Sequence, residues 1–422
     1  METLKKAGVG IPEIHVPDET RCQFEKWAVI AGDQFTSNKG YWKETEEITA
    51  GSPSTLNLFL PEVYLKEVNL EEKIKEINST MDKYLADGTL KKLPAGFMLV
   101  ERTTAFSPAR IGLLVNLDLD QYDYSENTNS LIQPTEKTVV ERLPVRVKIR
   151  ENAALDMPHI LVFIDDQDEK LIEGLYAQKE SFRKIYDFEL MQKGGHIRGW
   201  FIPADDPAVN SIAEKFLALK EKTYPLFAMG DGNHSLAAAK NTWEKIKATG
   251  VEDHPARWAM TEIVNINSDG IVFHPIHKVM FGVDPEKLMA ELQKELKCTV
   301  KDTCRCSLKA SENPMEIYFV SKDKAGIITL EGENILAAEE LQNFLDRYMK
   351  ANAEASIDYI HGEKDTEELS VKEGSIGFLL PEIAKNAFFK RLATKGVYPR
   401  KTFSIGESLE KRYYLESQVI KL

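Results

Sequence analysis

Tyr224-Pro-Leu-Phe-Ala-Met-Gly-Asp-Gly-Asn-His-Ser-Leu-Ala-Ala-Ala-Lys240 is the stretch on which the fold reading turns. The apolar run Tyr224–Met229 predicts a strand and Gly230–Ser235 a turn. Leu236, Ala239, Trp243 and Ile246 then fall at helical spacing until Gly250 ends the run. A helix begins with unpaired N–H groups and a positive dipole end, which makes it a natural cradle for phosphate. Gly230 and Gly232 let the backbone approach an anion, Asn233 or Ser235 suits the N-cap, and His234 adds a donor. Asp231 suits Mg²⁺, which takes one or two carboxylates plus phosphate oxygens. The same six residues also suit a plain turn and cap joining a strand to a packed helix. They match neither a Walker A loop nor a G-x-G-x-x-G fingerprint.

Working outward, residues 61–87 read as a helix, with Pro61 near its first turn and Gly88 past its end. Strand signals lie at 96–103, 111–117, 144–149 and 160–164, and helices are expected at about 169–192 and 207–222. A turn at Gly194-Gly195-His196 enters a further strand. From Phe281 the pattern changes to helix 285–296, strands 316–320 and 326–330, helix 336–349, strand 376–380 and helix 381–393. The expected fold class is mixed α/β (α+β). A core domain spans 1–280, a smaller α+β domain 281–387, and a tail at 388–422 returns to the core.

The chain has 422 residues, enough for two or three domains, and 54 Lys+Arg against 67 Asp+Glu give a charge of −13. That balance argues against a nucleic-acid partner, which requires a basic stripe to displace counterions. No stretch approaches a membrane span and no leader-type apolar region opens the chain, so a cytoplasmic protein with no membrane partner is expected. Cys22, Cys298, Cys304 and Cys306 lack paired zinc-ligand spacing and read as free thiols in a reducing compartment.

Three further polar clusters stand out. Gln133-Pro-Thr-Glu136-Lys-Thr138, followed by Glu141-Arg142-Leu-Pro-Val-Arg146, holds a carboxylate among cations, suited to a general base or to a surface ion pair. Tyr398-Pro-Arg400-Lys401-Thr402-Phe-Ser404 is basic and hydroxyl-rich, suited to a phosphoryl or carboxylate ligand or to a solvated turn. His274-Pro-Ile-His277 is no metal pair, because Pro275 breaks the helix that would align the two rings.

Five segments, in order, carry a resemblance: 27–37 (Trp-Ala-Val-Ile-Ala-Gly-Asp-Gln-Phe-Thr-Ser), 133–142, 229–237, 273–278 and 399–407. Together they resemble the bacterial domain-of-unknown-function family ten-fifteen over nearly the whole chain. More distantly, a Pro-x-Glu loop followed by an Asp-Gly-x-His turn resembles the archaeal free serine kinases of the partition-protein/sulfiredoxin-like superfamily. That resemblance implies a nucleotide-binding core with insertions. It puts Glu136 on the catalytic glutamate, Asp231, Gly232 and His234 on the turn, and Lys401 and Thr402 on a late substrate-binding segment. The chain departs from that pattern at Asn233 and Ser235, which replace a histidine and an arginine, and at Thr135, which also replaces a histidine. Arg400 is an extra residue in the late motif. The separation of Glu136 from Asp231, 231 − 136 = 95 residues, is about twice that of the kinases.

The function implied is a nucleotide-dependent kinase, using Mg²⁺ and ATP or ADP, that phosphorylates the hydroxyl of a small metabolite such as free L-serine. Glu136 and Asp231 would be catalytic, with Asp231 also the metal ligand. Gly232, Asn233, His234 and Ser235 would hold phosphate, and Arg400, Lys401 and Thr402 the substrate or transferred phosphoryl group. The alternative is a non-catalytic nucleotide- or metabolite-binding regulatory protein. The sequence leaves the oligomeric state open.

Overall fold

The computed structural model describes residues 2–421 except 126–127, 139–142, 306–308 and 333–334. Glu141, Arg142 and Cys306 therefore lie outside the described residues. The chain divides into two compact units, one of residues 1–272, 389–396 and 406–422, the other of 273–388 and 397–405. Both are mixed α/β, as the sequence predicts. Among the described residues no helix is long and apolar enough to cross a membrane.

The first unit is built on a ten-stranded sheet. Its strands are β1 Val9–Gly10, β2 Glu13–Pro17, β3 Leu90–Thr103, β4 Arg110–Asp118 and β5 Ile132–Gln133. They continue as β6 Leu161–Ile164, β7 Arg183–Leu190, β8 Gly195–Pro203, β9 Phe227–Asp231 and β10 Trp258–Asn265. The order across the sheet is β5-β9-β6-β10-β4-β3-β8-β7, with β1 added to β4 and β2 to β3. The pairs β5/β9 and β6/β10 are parallel. All nine residues of β4 are buried, because both faces of the sheet are covered. Alternation then sorts the side chains. Leu113, Val115 and Leu117 enter one core, whereas Leu114, with Met98 and Val100 of β3, enters the other.

Three local expectations fail for identifiable reasons. Residues 144–149 alternate like a strand, yet Leu143–Arg150 is a helix. Leu143 and Val147, one helical turn apart, pack on Ala237 and Ala238 of the Asn233–Lys247 helix, while Val145 stays exposed. Within 169–192 only Ile172–Tyr176 is α-helical, and Tyr186, Phe188 and Leu190 alternate inward from β7. The helix expected at 61–87 begins at Leu70, where Asn69 accepts from the N–H of Glu71 and Glu72.

The second unit carries a six-stranded sheet, with β11 His277–Phe281, β12 Cys298–Asp302, β13 Glu316–Ser321, β14 Ala325–Leu330, β15 Ser356–Ile360 and β16 Ser375–Leu379. The order is β12-β14-β13-β16-β11-β15, and helices Pro285–Glu295 and Ala337–Ala351 share its core. Cys22 and Cys298 are free, but Cys304 is disulfide-bonded, against the free-thiol expectation.

The His274…His277 segment is structural. His277 is buried and its Nδ1 accepts from the Leu380 N–H at 3.1 Å, and burial drives its pKa down to about 4. Next to it, Lys278 is 1% exposed and donates to Gln342 Oε1 (2.7 Å) and the Ala338 carbonyl (3.2 Å). Burial lowers its pKa to about 7, with Asp346 opposing. Between that value and about 10.4 the unfolded lysine binds more proton than the folded one, so this group makes stability rise with pH. Relative to Lys278→Met, the wild-type protein should gain on the order of 1 kcal/mol per pH unit from about pH 7.5 to 9.5. Urea denaturation of both proteins across that range measures it, and parallel pH profiles would refute it.

Candidate functional site

β9 meets β6 with a register irregularity between Met229 and Asp231, so Gly230 is the bulge residue. Gly232 follows with φ +83° and is the N-cap of the Asn233–Lys247 helix, without a side-chain cap. A Cβ at Gly232 would lie 3.0 Å from Ile160 Cγ1, so glycine serves both the left-handed backbone and the close packing. This corrects the expected capping by Asn233 or Ser235. The cradle is also narrower than expected. The Gly232 N–H is taken by Asp231 Oδ1 (2.9 Å) and the Ser235 N–H by the Gly232 carbonyl (3.0 Å). An incoming anion would meet the Asn233 N–H, beside an Asn233 Oδ1 that is buried without a partner among the described residues.

The parallel pairing of β5 with β9 sets Ile132 opposite Phe227 and Gln133 opposite Ala228. Glu136 lies 136 − 133 = 3 residues past one registered partner, and Asp231 lies 231 − 228 = 3 past the other. The two motifs therefore leave the same end of the sheet on adjacent strands. Gln133 anchors the first, donating to the Thr128 and Ser130 carbonyls and to the Tyr224 hydroxyl. Glu136 and His234 are both half-buried.

Beside the turn lies a cleft of about 510 Å³ with mostly apolar walls. Its polar lining includes Ser235, His159, Asp33 and Tyr414. That is the usual character of a small-molecule site. Ser235 Oγ is 3.1 Å from His159 Nε2, and Tyr414 Oη is 3.2 Å from His159 Nδ1. Asp33 Oδ2 lies 3.8 Å from the same Nε2. Across the cleft Arg146 pairs with Glu62, and Arg150 grips Asp156 at 2.5 and 3.0 Å.

Asp231 is paired with Lys411 at 3.2 Å. Burial opposes its carboxylate, but Lys411 and His159 hold its pKa below the ordinary value. It offers oxygen ligands, one of them already neutralised, and among the described residues no group of three His, Cys, Asp or Glu could hold a metal. Such a donor set fits Mg²⁺ carried in by nucleotide phosphates and not a protein cage.

Lys411 and Tyr414 belong to the segment 406–422, which runs back through the first unit. Tyr413–Tyr414 pairs with Val29–Ile30, and Gln418–Val419 with Leu155–Asp156. The second ladder is a wall: Leu155 and Asp156 line the cleft, while Gln418 and Val419 line a second cavity. Arg412 is the segment's anchor. Its Nε donates to Glu262 (2.7 Å), Nη2 to Glu416 (2.8 Å), and Nη1 to the Pro158 carbonyl (2.6 Å).

In the second unit, Arg400 and Lys401 are exposed, Lys401 at φ +58°, while Thr402 is buried and donates to the Pro399 carbonyl at 2.6 Å. His159, Lys411, Arg412 and Tyr414 escaped the sequence reading. Asp33 was visible only as part of the first resemblance segment.

A family model described as "Protein of unknown function (DUF1015)" matches residues 14–348. The chain belongs to this family. Among solved structures the DUF1015 protein is similar to a variant of free serine kinase in complex with AMP. That match has a TM-score of 0.42 at 14% identity, covering 76% of this chain and 94% of that one. A conserved hypothetical protein from Pyrococcus furiosus gives TM-score 0.38 at 12% identity, covering 72% and 93%. SbnI from Staphylococcus aureus, with a C-terminal truncation, gives TM-score 0.34 at 14% identity, covering 69% and 82%. No curated protein is similar enough to match.

Proposed function

We propose that this DUF1015 protein is a nucleotide-dependent kinase that transfers a phosphoryl group to the hydroxyl of a small metabolite, most simply free L-serine. The observation that carries the reading is the departure of the Glu136 loop and the Gly230–Ser235 turn from one sheet end on adjacent strands, with Ser235 of the turn lining a ligand-sized cleft. Phosphoryl transfer needs positioning and charge neutralisation more than covalent help. In this reading Glu136 takes the proton of the acceptor hydroxyl, and the first turn with Asn233, His234 and Ser235 receives phosphate after Gly232. Asp231 would hold Mg²⁺, which supplies charge neutralisation on the phosphates when bound. Arg400, Lys401 and Thr402 are assigned to the substrate or transferred phosphoryl group on the motif resemblance alone. With Mg²⁺, L-serine and either ATP or ADP, purified protein should form O-phosphoserine, read by mass spectrometry. No product across a panel of nucleotides and hydroxyl metabolites would remove the reading.

A non-catalytic nucleotide- or metabolite-binding regulator is the second reading. It is favoured by Ser235, whose hydroxyl is occupied by His159 where the kinase pattern has a cation. Calorimetric titration with ATP, ADP and CTP beside the product assay separates the two, since binding without product supports the regulator.

A further inference from the structure

The cleft of about 510 Å³ beside Ser235 has walls that a small, wholly polar metabolite would leave uncovered. Leu60, Met81, Ile149 and Met157 line it, together with the tilted ring pair of Phe59 and Tyr414, 4.8 Å between centroids. Covering such walls is favourable by about 25 cal/mol per Å² of apolar surface removed from water, so they select an apolar body.

The charged lining decides what that body carries. Among the described residues it is Asp33, Glu62 and Asp156 against Arg146 and Arg150, 2 − 3 = −1 with His159 counted as neutral. Neither arginine is open to an incoming anion, because Arg146 pairs with Glu62 and Arg150 with both oxygens of Asp156. Asp33 is the group left over. Its Oδ1 accepts from the Gln34 amide at 3.0 Å, while Oδ2 accepts no hydrogen bond among the described residues. Oδ2 is not one of the buried atoms, and the side chain is 32% exposed, so an occupant of the cleft can reach it. Tyr414 feels the same acidity: burial pushes its phenol pKa up, and Asp33, Asp156 and Glu62 push it further. A carboxylate oxygen without a donor, set at apolar walls in an acidic lining, suits an ammonium, whereas an anionic head would meet the surplus negative charge.

We infer that the cleft binds a primary amine with an apolar body, its ammonium on Asp33 Oδ2 and its aliphatic or aromatic part against the walls that include Ile149 and Met157. L-Serine shares the ammonium but lacks the apolar body. This preference therefore goes beyond the kinase reading and holds whether or not phosphoryl transfer follows.

The test is calorimetric titration of the full chain, without nucleotide, with phenethylamine, phenethyl alcohol, phenylpropionate and ethylamine. Phenethylamine should bind about tenfold or more tightly than the alcohol or the acid, which lack the ammonium. It should exceed ethylamine, which keeps the charge but loses the ring, by about tenfold or more. Asp33→Asn should bring the amine and the alcohol to within about threefold of each other. Ile149→Gln, in a chain shown to be folded by circular dichroism, should weaken the amine by about threefold or more and leave its preference over the alcohol in place. Absence of phenethylamine binding, equal binding of the alcohol, or an amine preference that survives in folded Asp33→Asn would overturn the inference. O-phosphoserine formation is assayed separately, so its absence removes the kinase reading and leaves the amine result standing.

Discussion

Glu136→Gln is expected to slow phosphoryl transfer by about 10²- to 10⁴-fold, the usual contribution of a positioned general base. The substitution keeps size and hydrogen-bonding reach but removes the carboxylate to which the proposed kinase reading assigns the substrate proton. The affinity for ADP should stay within about threefold, because nucleotide phosphates would be held at the helix start by neutralisation and backbone donors. The measurement is a steady-state rate beside a titration on the same preparation. A variant that keeps full turnover would move the base elsewhere, and Asp33 in the cleft wall is the next carboxylate to test. A variant that loses turnover and ADP affinity together would make Glu136 a binding or structural residue.

Arg412→Ala should destabilise the first unit by about 3–5 kcal/mol, the cost of stranding a buried counter-charge. Arg412 is 3% exposed, Glu262 1% and Glu416 0%, so the counter-charge is lost away from bulk solvent. Gly112 leaves the room that makes this possible, since a Cβ there would collide with the Glu262 carboxylate. Glu262 keeps Arg110 at 3.4 Å and Glu416 keeps the Tyr186 hydroxyl, so the site is weakened without losing every contact. Arg412→Lys should recover only part of the loss, because one ammonium cannot span the two carboxylates and the Pro158 carbonyl. The pH sign follows from Glu262. Burial raises its pKa, but Arg110 and Arg412 more than offset this and hold it below the ordinary value. Its stabilisation is therefore present above about pH 4.3 and lost as pH falls further. Urea midpoints of wild type and both variants at neutral pH check the prediction. A loss under about 1 kcal/mol in Arg412→Ala would mean that apolar contacts hold the segment.

The strand–turn–helix at 224–250 was legible because its signals are local: an apolar run, two glycines and a helical stripe ending in Leu236, Ala239 and Trp243, all fully buried. The cleft was not, because it is assembled across the chain. The Tyr414–His159 bond joins residues 255 apart, and that of Ser235 to His159 spans 76. Periodicity also misled where burial is partial. Residues 144–149 alternate in sequence, but tertiary packing selects only Leu143 and Val147, and the helix follows from that pair. Lys411 and Arg412 belong to no motif in the sequence, yet the first neutralises Asp231 and the second is buried among carboxylates.

The ladder of Leu155–Asp156 with Gln418–Val419 has one further consequence. A partition two residues long with a chamber on each face cannot shift toward one without receding from the other. If an occupant of either chamber displaces it, the affinities on the two sides become thermodynamically linked. Reciprocity then requires each ligand to change the other's dissociation constant by the same factor.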